Sequence, residues 1–107
     1  MKKILSLLTL SMITATTAAF ANTITLHNKN WDNGVWVDAR VGSGSFDQAS
    51  PVGPKFLNKG EDWVINGQKN QELFYKREGN PGERPIRYEG TPTRMDFHTK
   101  DGSTWDI

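Results

Sequence analysis

The chain has 107 residues, no cysteine, and 13 basic against 12 acidic side chains, for a formal net charge of +1. That length holds one domain. The missing cysteines exclude a disulfide-stapled scaffold and thiol chemistry, and the near-balanced charge excludes the basic footprint of a nucleic-acid binder.

The first segment reads as an export signal. Lys2 and Lys3 precede an apolar run from Ile4 to Ile13, and small residues end in Ala19-Phe20-Ala21. This is the three-part pattern of a secretory signal peptide with cleavage after Ala21, and the run is too short to be a permanent membrane span. The expected mature protein is therefore residues 22–107, a single domain that is secreted or periplasmic and has no transmembrane segment. Because Lys2 and Lys3 leave with the signal, the remaining 86 residues carry 11 basic and 12 acidic side chains, a net charge near −1.

From Asn22 onward the apolar residues alternate with period two, the signature of half-buried strands. Ile24 and Leu26 share one face. Val35, Val37, Ala39 and Val41 share another, with Trp36, Asp38 and Arg40 opposite. The predicted strands are 23–28, 35–41, 54–57, 61–66, 72–77, 85–89 and 93–98, with a last piece near 104–106. Asn33-Gly34, Asn66-Gly67 and Asp101-Gly102 are expected to be tight turns. Gly42 to Pro54 and Gly79 to Pro85 are expected to be longer breaks. The expected fold is all-β: a small antiparallel β-sandwich or barrel of about seven short strands without disulfides.

Two stretches carry resemblances. Asn28, Val35-Trp36 and Ala39, followed by Leu57-Asn58-Lys59-Gly60-Glu61-Asp62-Trp63-Val64-Ile65-Asn66, resemble the opening strands of thaumatin-like proteins, which implies an antiparallel sandwich and no activity. Val37-Asp38-Ala39-Arg40-Val41-Gly42, Gly60-Glu61-Asp62-Trp63, and Tyr75-Lys76-Arg77-Glu78-Gly79-Asn80-Pro81-Gly82 are similar to small secreted bacterial β proteins of uncharacterised function. That likeness implies a bacterial source and a β fold, and no substrate.

Catalytic chemistry is poorly supplied. There is no G-x-S-x-G elbow, and the two histidines, His27 and His98, belong to no motif. Two histidines also fall short of a zinc set. Asn28, Asn30 and Asp32, and again Asp101, Ser103 and Asp106, make oxygen-rich runs of the kind that hold calcium. The same residues build turns through their own side chains, and that is the role expected of them. No catalytic residue, metal or cofactor is therefore expected, and the protein is read as a non-enzyme.

The aromatics are the better lead. Trp63, Tyr75 and Phe97 are expected in the core. Trp31 lies in the turn Asn30-Trp31-Asp32-Asn33-Gly34, where burial is harder, and Trp36 shares its face with Asp38 and Arg40. Trp31, Trp36, Asp38 and Arg40 are thus the candidate binding residues. The expected function is a small extracytoplasmic binding protein that contacts a protein or a cell-envelope glycan through exposed aromatics and turns. The alternatives are a secreted effector (a membrane-active toxin or an inhibitor of a foreign enzyme) and a small hydrolase. The oligomeric state is left open.

Overall fold

The computed structural model describes residues 22–107. The expected signal segment and its cleavage site fall outside the described residues. Eight strands follow in order: β1 (Asn22–His27), β2 (Val35–Gly42), β3 (Ser50–Pro51), β4 (Lys55–Leu57), β5 (Asp62–Gly67), β6 (Glu72–Arg77), β7 (Thr93–Asp96) and β8 (Ser103–Asp106). Among the described residues there is no helix, and none is long and apolar enough to cross a membrane.

The strands form two sheets. One runs β5-β1-β8; the other runs β3-β2-β6-β7, with β4 also on β2. All pairings are antiparallel except β1 with β8, where Leu26 lies opposite Trp105. The fold is thus all-β as expected, and of the sandwich and barrel expected it is the sandwich, with eight strands and one parallel pair among the antiparallel ones.

Period-two alternation explains the core. Ile24, Leu26 and Ile65 of the three-stranded sheet face Val35, Val37, Ala39, Val41, Leu73, Tyr75 and Met95 of the other, with Leu57 and Phe97 closing the layer. Phe97 is the largest fully buried side chain. Trp31, Trp63 and Trp105 pack against this cluster half-buried. Trp63 thus lies at the edge of the core, its ring tip beside Gly53 in the segment between β3 and β4.

Sheet two is also covered on its outer side. Leu73, Phe74 and Tyr75 are buried in succession, so β6 is covered on both faces. A second cluster of Phe46, Ala49 and Phe74 forms where the 43–49 segment folds over that outer face. Arg40 fastens this segment. Its Nη1 donates to the Phe46 carbonyl at 3.1 Å, and its guanidinium lies 4.0 Å from the Phe46 ring centre.

Three local expectations are corrected. Residues 85–89 form no strand; Tyr88 makes a single bridge to Glu78, because Pro81 and Pro85 remove ladder donors on the way. Asn66-Gly67 is not a hairpin turn. Gly67 ends β5 as a buried residue, and a Cβ there would stand 2.4 Å from the Phe97 ring. The turn falls instead at Gln68–Gln71, where the Gln71 N–H donates to the Gln68 carbonyl, and the chain crosses from one sheet to the other. The third concerns the start of strand three: the Ser50–Pro51 pair on β2 is a strand the alternation did not announce, since two residues carry no period.

Candidate binding cleft at the β1–β2 end

The chain leaves β1 through a turn built by one buried side chain. Asn28 is fully buried. Its Nδ2 donates to the carbonyls of Trp31 and Leu57, both at 3.0 Å, and its Oδ1 accepts the Trp31 N–H at 2.9 Å. A second turn follows, with the Gly34 N–H donating to the Trp31 carbonyl at 3.0 Å. Gly34 takes φ +84°, and a Cβ on it would sit 2.2 Å from the Phe56 ring. Only glycine allows both that backbone and that approach.

These turns hold Trp31 down. The sequence placed it in the open, but its indole is half-buried against the core. Its Nε1 donates to the Ile107 carbonyl at 3.2 Å, and the Arg77 guanidinium lies 4.3 Å above its ring. Trp31 therefore has a folding task as well as a place at the surface. Trp31→Ala is expected to cost about 2 kcal/mol, roughly half the figure for a fully buried aromatic, and not the loss below 1 kcal/mol of an ordinary surface change. A thermal melt checks this; an unchanged midpoint would return Trp31 to the surface class.

The other candidates do not join Trp31. Trp36, Asp38 and Arg40 do share the outer face of β2, as alternation requires, and all three are half-covered. Trp36 packs on Phe56 with ring centres 5.5 Å apart. Asp38 and Arg40 approach at 3.8 Å, with Arg40 committed to Phe46. They form a packed outer layer rather than an exposed contact patch, because the 43–49 segment and Tyr88 lie over the sheet. The Tyr88 hydroxyl is pushed above its ordinary pKa by burial and by the neighbouring charges of Asp38 and Glu78.

Beside Trp31 opens a cleft of about 500 Å³, bounded by the 30–34 turn, by Phe56 and by the loop from Glu78 to Arg84. Its most informative group is Glu78, 2% exposed. Glu78 lies opposite Trp36 where the β2–β6 pairing ends: its N–H donates to the Trp36 carbonyl at 3.0 Å, and its Oε1 accepts the Trp36 N–H at 2.9 Å. Its Oε2 is buried without a partner. Buried polar atoms are normally hydrogen-bonded, and an unmet one costs about 1–3 kcal/mol. At the rim, Asp32 bonds the Lys59 ammonium at 2.5 Å, and that contact holds its carboxyl below the usual carboxylate range.

Glu78 and Phe56 were not singled out in the sequence. A signal was present: Glu78 has the same strand parity as Phe74, so it points to the face that three consecutive apolar residues show to be covered.

Other surfaces are less organised. A larger depression of about 660 Å³ is lined by Gln68, Lys69, Asn70, Asp96 and His98, all exposed. Asp96 there caps the backbone N–H of His98 at 2.7 Å rather than its imidazole. His27 Nδ1 lies 2.5 Å from Asp62 Oδ1, a cross-strand pair in the register of β1 and β5. In the oxygen-rich runs, Asn28 builds its turn as described, Ser103 donates its hydroxyl to the Lys100 carbonyl at 2.6 Å, and Asp101 ties its loop to β1 by accepting the Thr23 N–H at 2.8 Å. Comparison of the chain with protein-family models, with curated proteins and with solved structures finds no match.

Proposed function

We propose that this is a small extracytoplasmic binding protein that holds part of its partner in the cleft between the 30–34 turn and the 78–84 loop. The observation that carries the reading is the Glu78 carboxyl, buried at the cleft with one oxygen unmet. Buried carboxyl oxygens normally have a partner, and a donor held in the cleft would supply one. The cleft also has the size and the mixed aromatic and polar walls of a ligand site. The export pattern of residues 1–21 supports action outside the cytoplasm.

The test compares residues 22–107 with an Asn30→Trp variant, which crowds the rim from an exposed position. Both are immobilised and exposed to an envelope extract of the source cells. A component retained by the native domain and lost by the variant is the expected result. Identical retention by both would place the partner elsewhere and remove the cleft from the account.

A further inference from the structure

Glu78 lines the cleft and its unmet oxygen is an acceptor, so a ligand that completes it brings a donor. A charged donor gives a hydrogen bond roughly twice as strong as a neutral one. The surroundings favour a cation further. Glu78 is withdrawn from water, where an unpaired carboxylate is costly and a cationic partner relieves the cost best; Asp32 at the rim is already paired with Lys59, so the attraction rests on Glu78. Trp31 and Phe56 wall the same cleft and offer apolar contact to the stem of a long side chain.

The same geometry argues against a sugar. Stacking on a saccharide needs an open aromatic face. One face of Trp31 is occupied by Arg77, and Phe56 is wedged between Trp36 and Gly34.

We infer that the cleft is a subsite for a cationic side chain, arginine or lysine, of a protein partner, with the unpartnered Oε2 of Glu78 accepting a hydrogen bond from its charged head. This rests on the binding reading above. Arg84 also lines the cleft, with its guanidinium nearby. It is turned back onto the Glu83 carbonyl at 2.8 Å, which leaves Glu78 to the incoming group.

The experiment is a ¹⁵N–¹H titration of residues 22–107 with four probes: N-acetylarginine amide, N-acetyllysine amide, N-acetylcitrulline amide and the neutral disaccharide cellobiose. Citrulline matches arginine in shape without its charge. Expected are saturable shifts in residues 30–34, 56 and 78–84 with a cationic probe, at roughly millimolar affinity for so small a fragment, and at least tenfold weaker binding of citrulline. Glu78→Gln keeps an oxygen for the Trp36 N–H and should weaken the cationic probe at least tenfold. If that variant does not fold, the arginine–citrulline comparison on the native domain decides alone. Equal binding of arginine and citrulline, or no cleft shift with either cationic probe, overturns the inference. Cellobiose moving the cleft where the cations do not also overturns it, while the binding reading stands. Should no probe move the cleft and Asn30→Trp leave partner capture intact, both fall.

Discussion

Replacing Asn28 with alanine will lower the stability of residues 22–107 by about 3–5 kcal/mol and release the turn that carries Trp31. The figure follows from what the side chain does. It is fully buried and makes three hydrogen bonds, to the Trp31 N–H and to the carbonyls of Trp31 and Leu57. Alanine satisfies none of them, and each buried group left unpaired costs about 1–3 kcal/mol, reduced where the turn relaxes toward water. A small domain commonly has only about 5–15 kcal/mol in total, so the variant stands near the edge of folding. Urea unfolding measures the loss. Asn28→Asp is a useful companion: it retains the acceptor for the Trp31 N–H but sets a buried carboxylate against the Trp31 and Leu57 carbonyls, so it should be at least as destabilising as Asn28→Ala at neutral pH. A midpoint for Asn28→Ala within experimental error of the native one would mean that the turn is held by something other than this side chain.

Phe97→Ala is expected to cost a similar amount, about 3–5 kcal/mol, by a different route. Phe97 is fully buried, and its ring fills the space above Gly67, where a Cβ would come within 2.4 Å. Truncation leaves a cavity between the sheets that a glycine wall cannot refill. Phe97→Leu should recover much of the loss. The defect lies at the Asn22–Gly67 end of the β1–β5 pairing, away from the cleft that follows the other end of β1. Thermal unfolding should therefore show a large drop in midpoint, while the fraction that remains folded keeps its cleft binding. Binding lost in step with stability in Asn28→Ala, and kept in folded Phe97→Ala, would separate a residue that shapes the cleft from one that only supports the core.

Much of the fold was legible because period two is a local property. The alternation of Val35, Val37, Ala39 and Val41 against Trp36, Asp38 and Arg40 assigned both faces of β2 correctly. What failed depends on which sheet a strand joins, and nothing in a single strand encodes that. Asn66-Gly67 has hairpin chemistry, yet its strand pairs with β1 and the next pairs with β2, so the chain needs a crossing there and uses the glycine to admit Phe97. The site was less legible. Trp31 sits among turn residues, and its burial depends on Ile107 and Arg77, 76 and 46 positions away in the chain. Alternation put Trp36, Asp38 and Arg40 on one face, but it could not show that the 43–49 segment folds over it. Glu78 was readable only by extending the parity of Phe74 past the end of β6, into a segment where Gly79 and Pro81 hide the strand pattern.

The most direct measurement is a crystal structure of residues 22–107 grown with N-acetylarginine amide. Expected is the guanidinium in the cleft beside Trp31 and Phe56, with a nitrogen at about 2.7–3.2 Å from Glu78 Oε2 and Oε1 still on the Trp36 N–H. Glu78 turned out to solvent, or its Oε2 satisfied by the Tyr88 hydroxyl with the probe absent from the cleft, would contradict this placement.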